Sequence, residues 1–129
     1  MSGIKSLCED DARGGGLDAE SPTRQRVLEA FSRLDGKRYT LLGLEVDEER
    51  QMYIGGGDGR YVVSIYLGDR NKVLCDPTKS EDGSEWVVCG QGSSYPSSLV
   101  VDEQSARQAM LHFFDTGGLW DPTLFWDEM

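Results

Sequence analysis

Histidine occurs once in this chain, at His112, and cysteine three times, at Cys8, Cys75 and Cys89. The cysteines are odd in number and contain no Cys-x-x-Cys pair, which argues against a disulfide scaffold and leaves Cys75 and Cys89, both in apolar stretches, as buried reduced thiols. His112 could serve Cys75 or Cys89 as a Cys–His nucleophile pair, and a zinc site of three cysteines and one histidine would draw on locally paired ligands, which are absent; a packed or edge histidine is the expected reading. No catalysis, metal or cofactor is therefore expected. Long apolar runs are also missing, which excludes a bilayer-spanning helix. Residues Met1 to Asp10 lack the charged, apolar, then small-residue order of a secretory signal, so the cytoplasm is the expected address. Positive charge is scarce: 13 Lys and Arg stand against 23 Asp and Glu, for a net charge of −10. A surface of that sign repels nucleic acid and anionic membranes, while it attracts and steers a basic protein.

The charge is unevenly placed. Residues 24–38 hold five cations (Arg24, Arg26, Arg33, Lys37, Arg38) against Glu29 and Asp35, so the rest of the chain carries −13. A mildly basic helix on an acidic body is the expectation.

With 129 residues the chain is one domain long. Residues 1–20 read as a flexible tail, because Glu9-Asp10-Asp11 and Gly14-Gly15-Gly16 bring little apolar surface to offset the entropy of ordering. Residues 21–129 then form the domain. Ser21 and Pro22 suit the cap and first position of a helix, Val27, Leu28, Phe31 and Leu34 form its apolar stripe, and Asp35-Gly36 stops it. Alternation predicts strands around Thr40–Val46, Met52–Ile54, Arg60–Leu67, Lys72–Cys75 and Glu85–Cys89, with a short last one at Ser98–Val101. Asp102 caps a second helix striped by Ala106, Ala109, Met110 and Phe113 and ended by Thr116-Gly117-Gly118. Trp120, Phe125 and Trp126 should dock the terminus. Tight turns between strands imply antiparallel neighbours. The expected fold is α+β: an antiparallel meandering sheet with both helices on one face, burying Phe31, Leu34, Val63, Ile65, Met110 and Phe113.

Gly55 to Gly59 resembles a phosphate loop only in composition. It lacks the Gly-Lys-Ser/Thr ending and precedes a strand, so a hairpin turn is the better reading. The carboxylates lack the alternating spacing of a calcium loop. What remains is a binding surface. Asp47, Glu48, Glu49 and Asp58 at the turns form one candidate acidic patch, and Glu81, Asp82 and Glu85 a second, with Tyr66 or Trp86 as aromatic anchor.

Three segments carry a resemblance to a known family. They are Met52-Tyr53-Ile54 with Gly59-Arg60-Tyr61-Val62-Val63-Ser64; Val100-Val101-Asp102-Glu103-Gln104 leading into Ala106 to Phe114; and Trp120-Asp121-Pro122 with Leu124-Phe125-Trp126-Asp127. Over roughly residues 25–129 the layout resembles the first family of immunity proteins of bacterial polymorphic toxin systems. The resemblance implies a non-enzymatic inhibitor of a cognate toxin domain, with a zinc-dependent nucleobase deaminase as the expected partner. Such a toxin needs a basic groove for its polyanionic substrate, which an acidic inhibitor can occlude. The alternatives are an inhibitor of a nuclease toxin, for which the charge argument is the same, and an adaptor with no toxin partner.

Overall fold

The computed structural model describes residues 3–11, 13–14, 16–80 and 82–128. Four strands follow one another as a meander: β3 (Tyr39–Asp47), β4 (Arg50–Gly57), β5 (Arg60–Leu67) and β6 (Arg70–Cys75). Strands β1 (Ser6–Asp11) and β2 (Leu17–Glu20) extend it beyond β3, and β9 (Phe125–Glu128) extends it beyond β6. The order β2-β1-β3-β4-β5-β6-β9 is antiparallel at every step. Alternation sends Leu42, Leu44, Met52, Ile54, Val63 and Ile65 to one face, where they bury against the two helices. Helix α1 (Arg24–Arg33) contributes Val27, Ala30 and Phe31 to that core, and α2 (Glu103–Thr116) contributes Ala106, Ala109, Met110 and Phe113. The fold is thus the α+β meander with both helices on one face, and the six core residues expected from the sequence are all buried.

Both helices start at a cap. The Asp102 side chain accepts a hydrogen bond from the Ser105 amide, and Gly117 ends α2 in the left-handed conformation. For α1 the cap is Thr23, two residues beyond the expected Ser21. Ser21 is held instead by β-type bonding, its amide donating to the Lys5 carbonyl, and that contact takes the serine out of the helix.

The tail expected over residues 1–20 is corrected by the same segment. Ile4 and Leu7 are buried in the core, and β1 pairs with β3 over six residues. The acidic run that suggested disorder is neutralised. Glu9 points inward, where Arg26 and Arg33 of α1 grip its carboxylate at 2.6 and 2.8 Å, and Asp11 pairs with Arg38 at 3.1 Å. The basic helix and the acidic first strand are each other's counter-charge.

Strands β7 (Ser84–Cys89) and β8 (Gln91–Pro96) form a separate hairpin on the opposite face of the large sheet. Its Val87 packs with Val62, Val73 and Val100 in a second apolar cluster. Gly55 makes that approach possible, because a methyl group added there would sit 2.3 Å from Cys89 Sγ. The glycine run is therefore mostly strand: β4 continues to Gly57, and only Asp58 and Gly59, with φ of 55° and 83°, make the turn. Ser98–Val101, expected as a strand, is a 3-10 turn at Ser97–Leu99 followed by a single bridge from Val101 to Tyr61.

Candidate partner-binding face

The hairpin covers only part of the face opposite the helices. The open part is defined by strand register, which lines up residues across the sheet. One row runs Asp18, Cys8, Gly43, Tyr53, Ser64, Val73 and Asp127, with Val73 buried under the hairpin. The adjoining row runs Glu20, Ser6, Glu45, Gln51, Tyr66 and Asn71. These rows contain four carboxylates and no lysine or arginine. Among the described residues, no cation lies within ion-pairing distance of Asp18, Glu20 or Glu45.

Two tyrosines stand in the middle of this face. Tyr53 and Tyr66 meet edge to face, with ring centroids 5.7 Å apart and planes at 75°. Tyr53 is 37% exposed, and its hydroxyl donates to Gln51 Oε1 at 3.0 Å. Its ring lies on Gly43, where any side chain would crowd it: a Cβ there would be 3.1 Å from the ring edge. Burial, then the nearby Glu45 carboxylate and Cys8, push the Tyr53 hydroxyl above the ordinary tyrosine range. The Cys8 thiol is exposed and is pushed up by burial of its lower part and by its hydrogen bond with Asp18. At the hairpin, burial and a hydrogen bond with Cys89 push Tyr95 up to about 12.

Of the sequence candidates, Tyr66 lies on this face. Asp47, Glu48 and Glu49 lie at its end, in the turn between β3 and β4. Asp47 is committed to that turn. Its carboxylate accepts from the Glu49 and Arg50 amides at 2.9 Å each and pairs with Arg50, which hold it below the usual carboxylate range. Asp58 is at the other end of β4, about 25 Å away by strand rise, so the turns do not form the single patch expected of them. There it lines a small cavity of about 200 Å³ with Trp86, beside Lys37 and Arg60. Trp86 is 62% exposed, on the outer side of the hairpin. The second acidic patch is described in part. Glu85 is half-buried and paired with Lys79 at 3.1 Å, Asp82 is an exposed loop residue, and Glu81 lies outside the described residues.

Sequence reasoning groups Glu45 with the acidic turn of Asp47, Glu48 and Glu49 but gives it no place in a candidate patch, and it misses Tyr53, Asp18 and Glu20. The outward side of Tyr53 was readable from its inward neighbours Met52 and Ile54, whereas Asp18 and Glu20 needed the pairing of β1 with β2. His112 belongs to the helical layer, with Nδ1 3.9 Å from Asp121 Oδ2, while Cys89 sits in the hairpin on the other side of the sheet. Burial alone would raise Asp121, but hydrogen bonds from Thr123 and Gln108 hold its carboxyl below the usual range. Among the described residues, no group of three or more His, Cys, Asp or Glu side chains is placed to hold a metal ion, and no helix is long and apolar enough to cross a membrane. No protein-family model matches the chain, and no curated protein matches it in sequence.

Proposed function

We propose that this protein is an immunity-type inhibitor that docks the open face of its sheet onto a basic toxin domain and blocks access of the toxin's nucleic-acid substrate. The observation that carries the reading is a sheet face with carboxylates and tyrosines at its centre and no cation in either exposed row. Tyrosine is an economical anchor, rigid and amphipathic, whereas surrounding charges act mainly on the rate of encounter. The family resemblance supplies the toxin as partner and a nucleobase deaminase as its expected chemistry. A nuclease toxin would present the same basic groove, so both activities belong in the test.

The test uses the product of the neighbouring gene, read as the cognate toxin. The protein should form a stoichiometric complex with it and abolish either cytosine deamination or cleavage of a nucleic-acid substrate. Reversing Glu45, Glu48 and Glu49 to lysine should slow association at low salt by about ten-fold or more and flatten its salt dependence. Asp47 is left intact because it builds the turn. No complex with the adjacent product, or an unchanged association rate in the triple variant, would refute the reading.

A further inference from the structure

We propose that the Tyr53–Tyr66 pair with Glu45 is a receiving site for an arginine side chain of the partner. The inference rests on the open face being the docking face, and not on the partner's being a toxin. The chain's own treatment of its aromatics supports it. Tyr39 carries the Arg38 guanidinium 5.0 Å from its ring centroid, and Trp120 carries both Arg70 and Lys72, at 5.5 and 4.8 Å. Among the described residues no cation stands over Tyr53 or Tyr66, although four carboxylates share their two rows. A cation supplied from outside completes the arrangement that the protein makes internally elsewhere.

The geometry favours a guanidinium over an ammonium. The two ring planes stand at 75° to each other on a face where Tyr53 is 37% exposed, so aromatic surface is offered in two orientations. A guanidinium stacks on an aromatic face and presents a planar fork of donors to a carboxylate, whereas an ammonium is a compact, strongly hydrated point charge. Glu45 is the carboxylate to receive the fork. It is in the same cross-strand row as Gln51 and Tyr66, has no ion-pair partner among the described residues, and is close enough to Tyr53 to act on its hydroxyl. Gly43 keeps the site shallow and open, since a side chain there would push Tyr53 out of place. The Gln51 amide oxygen holds Tyr53 by its hydroxyl, so the ring is positioned before the partner arrives.

The test needs no toxin. The isotope-labelled full chain is titrated at low salt with hexa-arginine and, separately, hexa-lysine, and its amide spectrum is followed. The peptides should shift the amides of Gly43, Tyr53, Ser64 and Tyr66, and hexa-arginine should bind at least about five-fold more tightly than hexa-lysine. In a Tyr53→Leu, Tyr66→Leu variant whose remaining spectrum keeps its dispersion, that preference should fall to parity. Glu45→Gln, which leaves both rings in place, should weaken the binding of both peptides. Equal affinities in the unmodified protein, a preference that survives in the double variant, or shifts centred on Asp58 and Trp86 would each overturn the proposal. Arginine binding here by a chain that inhibits no toxin would remove the immunity reading alone. Inhibition of a toxin without arginine preference would remove this inference alone.

Discussion

Replacing Glu9 with glutamine tests whether the first strand belongs to the fold. The Glu9 side chain is 5% exposed and accepts four hydrogen bonds. Arg26 Nη2 donates to Oε2 at 2.6 Å, Arg33 Nε donates to Oε1 at 3.0 Å, and Arg33 Nη2 donates to both oxygens at 2.8 and 2.9 Å. Glutamine preserves the shape but removes the charge and turns an amide NH2 toward the guanidinium groups. Breaking a fully buried ion pair by removing one partner costs about 3–5 kcal/mol. Here the arginine side chains keep 26% and 35% of their exposure, so water re-solvates them in part. The expected loss is about 3 kcal/mol, toward the low end of that range. For a domain of this size it corresponds to a fall in Tm of roughly 10–15 °C. Urea unfolding followed by tryptophan fluorescence measures it, with Arg33→Met and the double variant completing a mutant cycle. Hydrogen exchange should also quicken in β1 before the rest of the sheet. The sign is informative, because Glu9→Gln lowers the magnitude of a −10 net charge and would stabilise the fold if overall repulsion dominated. An unchanged or higher midpoint, or a coupling energy near zero, would show that β1 is not anchored through this carboxylate.

Two further outcomes follow from the packing and the ionisable groups. Gly55→Val should destabilise the protein by about 1–3 kcal/mol and make Cys89 react faster with thiol reagents, because the side chain displaces the β7–β8 hairpin; unchanged stability and thiol rate would refute that packing. Asp35 is held low by the Lys37, Tyr39 and Arg38 amides, and Asp47 and Asp76 by their own turn and side-chain bonds, relative to an ordinary value of 3.8. A depressed folded-state pKa stabilises above the unfolded value and is lost as pH falls through the folded one. The urea midpoint should therefore stay level from neutral pH to about pH 5 and fall below that, and a decline already complete by pH 5 would refute the assignment.

Much of the site was hidden for a physical reason. Glu9 reads as a member of a solvated acidic run until α1 places two guanidinium groups over it, and no local pattern announces a counter-charge 17 and 24 residues away. With residues 1–20 read as a tail, Asp18 and Glu20 have no sheet to belong to. The β8 segment Gln91–Pro96 is equally opaque: glycine, serine and proline carry no strand signal, and its pairing with β7 supplies the order instead. Asp47 and Asp58 are grouped by sequence as acidic residues of successive turns, but the extended strand β4 between them places them at opposite ends of the sheet.

What the sequence determined by itself is everything that depends on local periodicity and caps. The alternation of Tyr61, Val63 and Ile65 against Val62 and Ser64, the stripes of Val27, Phe31, Met110 and Phe113, and the stop at Gly117 follow from side chains a few residues apart, whereas α1 ends at its C-cap Leu34, two residues before the expected Gly36. Net charge likewise needs no coordinates. Only the tertiary structure decided which carboxylates are neutralised and which stay free. It buried Glu9 between two arginines, tied Glu85 to Lys79, and left Glu45 beside a tyrosine pair with no ion-pair partner among the described residues. The reason is that ion pairing and exposure are set by register and by the element that packs across, and both are contacts between residues far apart in the chain.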